Sequence, residues 1–160
     1  AMSNSNGYRG DPPIARSRRR IKVLICNRYT LFREGLKALF GTSSRIQIAG
    51  EAAAGDEAVA AAERLHPDVL LLDVDLPGHL SAFATMHRIL AKDPDTRVLI
   101  MTLSKNHRTQ IARCLESGAA GQIRRHDRPK QLEAAIVAAA GWRPAASVER
   151  HLTAGGRRAS

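Results

Sequence analysis

Five short apolar runs divide the chain, and between them apolar residues recur at helical rather than strand spacing. The runs are residues 22–26 (KVLIC), 46–49, 69–72, 97–102 (RVLIMT) and 121–124. Four to eight apolar residues closed by turn signals predict strands buried on both faces, as in a parallel sheet. The central run, Val69 to Leu72, ends on a carboxylate, Asp73, and Leu76-Pro77-Gly78 then turns the chain. After the first run, Phe32, Leu36, Leu39 and Phe40 recur at i, i+4, i+7 and i+8, which predicts one face of a helix ending at Gly41. Ala58, Ala61, Ala62 and Leu65 make the next stripe, and Phe83, Met86 and Leu90 a third, closed before Asp93-Pro94. Ile111, Cys114 and Leu115 stripe a fourth helix that Gly118 can cap in the left-handed conformation. The fifth carries Leu132, Ala135, Ile136 and Ala139, with Asp127 as its expected cap, Pro129 in its first turn and Gly141 at its end.

Strands alternating with helices in units of about 22 to 25 residues predict an α/β domain, a doubly wound five-stranded parallel sheet with five helices. Right-handed crossovers bring the carboxyl ends of the strands to one edge, where open α/β folds place their chemistry. The loops that converge there carry Asn27 and Arg28, Asp73, Thr102, and Arg124 or Arg125. Leu36 and Ile136 sit on helix faces that can serve a core or an interface.

Composition limits the alternatives. No run of about 18 apolar residues is present, so no membrane span is expected, and the arginine-bearing N-terminus shows no secretory signal. Cys26 and Cys114 are isolated in apolar segments, which suits a reduced, cytoplasmic setting rather than a disulfide framework. His66, His79, His87, His107, His126 and His151 have no metal-ligand spacing. There is also no nucleophile–base pair, glycine-rich phosphate loop or cofactor fingerprint, so no enzyme is expected. The net charge of +10 is concentrated at the ends. Residues 1–20, expected as a disordered basic arm, carry five arginines against Asp11. Residues 142–160 carry four arginines against Glu149 and are expected as a polar linker. The body, 21–141, is nearly balanced, so the basic ends are read as solvated tails before nucleic-acid arms.

With these residues assembled, the chain resembles a response-regulator receiver domain of the LuxR/NarL type of transcription factor. The resemblance rests on IKVLI…LFREGLKALF, IAGEAAAGDEAVAAAERLHPDVLLLDVDLPG, DPDTRVLIMT and ESGAAGQI…RPKQLEAAI, together spanning about residues 21–141. It implies a flavodoxin-like fold and signalling from a histidine kinase through an aspartyl phosphate. In that family an acidic pair after the first strand holds Mg²⁺ together with the acceptor aspartate. A Thr or Ser and a Lys contact the phosphoryl group. By position Asp73 matches the acceptor and Thr102 the hydroxyl. The acidic pair, however, falls on Asn27 and Arg28, the lysine on Arg125, and the aromatic switch position on Gln122.

These departures change the expected chemistry. Phosphoryl transfer depends on positioning and charge neutralisation, and hard cations want several oxygens. Arg28, Asp73 and Arg125 sum to about +1 where the family set sums to about −2, so Mg²⁺ binding is expected to be weak or absent. The sequence suggests that Arg28 or Arg125 pairs with Asp73 in place of the metal and favours its ionised form, with Asp75 on the opposite face. Gln122 cannot reproduce an aromatic two-state packing. The expected function is therefore an atypical, phosphorylation-independent regulatory domain, a homodimer that controls DNA binding by a C-terminal helix-turn-helix domain outside this chain. Two alternatives stay open: a conventional phosphoreceiver served by a histidine kinase at Asp73, and a domain that senses a small-molecule ligand.

Overall fold

The computed structural model describes residues 19–124 and 126–141. Along the chain lie β1 (Ile21–Cys26), α1 (Thr30–Phe40), β2 (Ile46–Ala52), α2 (Gly55–Leu65) and β3 (Val69–Asp73). They continue as α3 (Ala82–Lys92), β4 (Arg97–Met101), α4 (Arg108–Glu116), β5 (Gly121–Ile123) and α5 (Pro129–Gly141). The strands pair in parallel in the order β2-β1-β3-β4-β5, so the expected doubly wound sheet is the observed one. Strand order reverses between β1 and β3, which opens a crevice at their carboxyl ends.

Alternation along each strand sorts the core into two layers. Leu24, Cys26, Leu70, Leu72, Val98 and Ile100 face the alanines of α2, Met86 and Ile89 of α3, and Ile111 and Cys114 of α4. Their neighbours Val23, Ile25, Val69, Leu71, Leu99 and Met101 face Leu36 and Phe40 of α1 and Leu132, Ile136 and Ala139 of α5. Leu36 and Ile136 are therefore core residues. Burying both faces of β3 explains why it reads as an unbroken apolar run.

Some boundaries and faces differ from the sequence reading. β2 runs on to Ala52 because, after a register shift, Gly50 and Glu51 still pair with Leu24 and Ile25. Gly50 fits because a Cβ there would meet Leu65 Cδ1 at 2.5 Å. Leu39 and Leu115 are exposed, and α1 buries Arg33, Leu36 and Phe40 instead. Asp127 does not cap α5: its carboxylate accepts from the Arg124 backbone N–H at 2.7 Å. Gln131 instead reaches back to the Arg128 N–H at 2.6 Å, half of a capping box. Gly118 does take the left-handed region, with φ 118°. The expected arm lies outside the described residues except at its end, where Arg19 pairs with Asp68 at 3.2 Å. The expected linker, 142–160, lies outside them too. Among the described residues no helix is long and apolar enough to cross a membrane.

Candidate functional site

The register of the sheet builds the site. Cys26 pairs with Leu72 and Asp73 with Met101, so Asn27, Asp73 and Met101 form a row across the ends of β1, β3 and β4. Strand alternation turns this row towards the α1/α5 layer. Asn27 and Asp73 are 0% and 1% exposed.

Both oxygens of the Asp73 carboxylate are engaged. Asn27 Nδ2 donates to Oδ2 at 2.7 Å, and the Asp75 backbone N–H donates to Oδ1 at 2.9 Å. The Asn27 amide is itself oriented, because its Oδ1 accepts from the Tyr29 N–H at 2.8 Å. Its Nδ2 also lies 4.0 Å from Met101 Sδ. Burial pushes the Asp73 carboxyl above the ordinary carboxylate range, and the nearby charge of Asp75 adds to this. The Asp75 N–H, His107 and, least, Arg28 act the other way.

For Arg28 this corrects the expected substitution of an arginine for the metal. Arg28 Nη1 lies 3.8 Å from Asp75 Oδ2, a half-exposed pair, and not against Asp73. Its guanidinium also sits 5.7 Å from the Tyr29 ring centre. Asp75 therefore shares the rim of the site instead of pointing away. Among the described groups burial outweighs the attractive charges, so the Asp73 carboxyl is held above the ordinary range and Arg28 does not pull it below. The reason is register: continuing the Cys26–Leu72 pairing puts position 27 beside Asp73, whereas position 28 lies one residue further into the loop after β1. Arg125 lies outside the described residues.

Thr102, at the end of β4, is 9% exposed. Its hydroxyl is engaged within its own loop, donating to Ser104 O at 2.9 Å and accepting from the Ser104 N–H at 3.1 Å. Gln122 is exposed on the edge strand β5. Asp73 thus ends β3 while Asn27 and Thr102 directly follow β1 and β4, Arg28 sits on the rim, and Gln122 lies apart at the edge.

Arg33 and Glu51 were not singled out by the sequence. Arg33 is 8% exposed, and its Nη1 donates to the Asn27 carbonyl at 2.7 Å. Its Nη2 donates to Thr30 Oγ1 at 3.3 Å and its Nε to Glu51 Oε1 at 3.2 Å. Lys37 holds the other Glu51 oxygen at 2.6 Å, which keeps that carboxyl below the ordinary range with help from Arg33. The β1–α1 loop is thereby tied to edge strand β2, and Asn27 is held from its backbone as well as its side chain. The available signal was spacing: Arg33 precedes Leu36 by three and Phe40 by seven, a helical face with a charge in it. Cys26 is buried, with its thiol pushed up to about 12, and it donates to Ala54 O at 3.6 Å. A thiol so held is no nucleophile.

The donor set bears on the family's Mg²⁺. A hard divalent cation needs carboxylate, carbonyl and water oxygens around it. Here an amide N–H₂ points at the acceptor where a second carboxylate would stand, and a guanidinium neutralises Asp75. Among the described residues no three His, Cys, Asp or Glu side chains converge. These residues do not fit the metal.

The model of the response regulator receiver domain matches residues 23–137. The nitrate/nitrite response regulator protein NarL of Escherichia coli (strain K12) is 30% identical over 118 residues, 74% of this chain and 54% of that protein. The transcriptional regulatory protein DegU of Brevibacillus brevis is 28% identical over 123 residues, 76% of this chain and 51% of that protein. Among solved structures, the signal receiver domain of the response regulator NarL from Mycobacterium tuberculosis aligns with a TM-score of 0.70. It is 26% identical and covers 78% of this chain and 98% of that one. The chain spans about half the length of the curated relatives it matches. A parallel sheet with an aspartate at the end of its third strand, matched over most of its length, belongs to the response regulator receiver domain family and is related to regulators of the NarL/LuxR type.

Proposed function

We propose that this receiver domain regulates its output without Mg²⁺-dependent phosphorylation of Asp73. The observation that carries the reading is the 2.7 Å bond from Asn27 Nδ2 to Asp73 Oδ2. A carboxylate that is buried and accepts a hydrogen bond at each oxygen has its lone pairs committed and is a poor nucleophile. The Arg28–Asp75 pair and the closed turn at Thr102 support the same reading, because neither group is free to neutralise an incoming phosphoryl group. Gln122 at the switch position removes the aromatic that would report on it.

In this reading the domain acts through dimerisation and through a DNA-binding output domain of the full-length protein. The naming of the DegU relative as a transcriptional regulatory protein supports that assignment. A second reading, a conventional phosphoreceiver served by a histidine kinase, draws on the placement of Asp73 and Thr102 at the ends of β3 and β4.

Intact mass after incubation with acetyl phosphate and MgCl₂ separates the two. No phosphoryl adduct is expected. An adduct that disappears in Asp73→Asn would overturn the proposal and establish the conventional mode.

A further inference from the structure

We propose that the groove between α1 and the start of α5 is a binding site for a small apolar carboxylate, with a ring or branched aliphatic body and one carboxylate head. This inference goes beyond the metal-free reading and does not depend on it.

The groove encloses about 190 Å³. Its floor is Leu36, Ile123 and Leu132, all nearly buried, and Phe32, Leu39 and Leu103 rise around it. An engineered apolar cavity of about 150 Å³ takes up benzene, so this volume suits one ring or a short branched chain. Leu39 and Leu103 stand 40% and 38% exposed on its walls, an apolar surface that an occupant would cover.

Charge at the mouth selects the head group. Arg124 and Asp127 line the groove together. Asp127 Oδ2 is committed to the Arg124 backbone N–H, whereas the Arg124 guanidinium has no ion-pair partner among the described residues. Lys130, which borders the adjoining hollow with Leu39 and Pro129, adds a second cation beside the mouth. Glu133 borders the same hollow as Lys130, and Asp127 is committed. That leaves the Arg124 guanidinium as the cation at the mouth without an ion pair among the described residues, and a guanidinium suits the fork of a carboxylate.

The groove is also placed to influence the buried site. Met101 and Thr102 form part of its wall, and Met101 Sδ lies 4.0 Å from Asn27 Nδ2. An occupant would press on the side chain that backs the Asn27–Asp73 bond.

The experiment is an NMR titration of the isotopically labelled chain with phenylacetate and, in parallel, its neutral isostere phenylacetamide. Saturable shifts are expected at the methyls of Leu36, Leu103, Ile123 and Leu132, with the Asn27 side-chain amide shifting alongside them. Arg124→Gln, a change at an exposed side chain, is expected to weaken phenylacetate roughly tenfold or more, as loss of a charge-assisted hydrogen bond does. Phenylacetamide should be weaker by a similar factor. Absence of saturable shifts, equal affinity for acid and amide, or indifference to Arg124→Gln would each overturn the proposal. So would shifts that follow protein concentration and not the probe, which would mean that a second copy closes the groove.

Discussion

The double variant Asn27→Asp, Arg28→Asp is expected to acquire saturable Mg²⁺ binding, where the native chain is expected to show none. Position 27 directly follows the Cys26–Leu72 pair of β1 and β3, and its side chain already reaches to 2.7 Å of the Asp73 carboxylate. A second carboxylate at that distance in a buried site cannot ionise beside the first without a cation between them. Replacing Arg28 frees Asp75 from its guanidinium and adds another acid to the rim. The variant should be less stable than the native chain in a chelator. Mg²⁺ should restore it, by about 2.7 kcal/mol at a hundred times the dissociation constant. Thermal unfolding with and without MgCl₂, at matched ionic strength, reads the difference. A variant whose unfolding ignores Mg²⁺ would show that Asn27 and Arg28 are not what separates this site from a metal-binding one.

Ile136→Ala is expected to cost about 2–5 kcal/mol of folding stability, as large-to-small changes do at fully enclosed aliphatic positions. Ile136 is 0% exposed and packs in the α1/α5 layer with Leu71, Leu99 and Leu132. Ala138, two residues away on the same helix, is exposed, and its change to Ser should stay within about 0.5 kcal/mol. Urea unfolding at two protein concentrations checks both. A cost at Ile136 that vanishes on dilution would mark the residue as an interface position and contradict its place in the core.

The pair also shows what the sequence could and could not tell. The stripe of α5 carries its buried residues, Leu132, Ile136 and Ala139, but the helix is apolar nearly all round (LEAAIVAAA), so the pattern leaves Ile136 open between core and interface. β3 was readable because a strand covered on both faces has to be apolar throughout. β2 was cut short because Ala-Gly-Glu-Ala carries no strand signal; pairing with β1 across a bulge extends it.

At the site, the residues that end the strands were legible from topology alone, and Asn27, Asp73 and Thr102 came from that rule. Their partners were not. Whether Arg28 reaches Asp73 or Asp75 depends on one residue of register beyond the end of β1, which periodicity does not carry. The long reach of Arg33 to Glu51 and to the Asn27 carbonyl joins residues far apart in the chain, and only the folded sheet brings them together. The raised pKa of Asp73 follows from burial, which a sum of nearby charges omits.

The most direct test of the account is a titration of the native chain with MgCl₂, followed by NMR at the Asn27 side-chain amide and the Asp75 backbone N–H. Those two groups hold the Asp73 carboxylate, so a cation reaching it must displace or perturb them. Both signals are expected to drift no more than they do in matched NaCl. Saturable shifts at both in the millimolar range would contradict it and return Asp73 to metal-dependent chemistry.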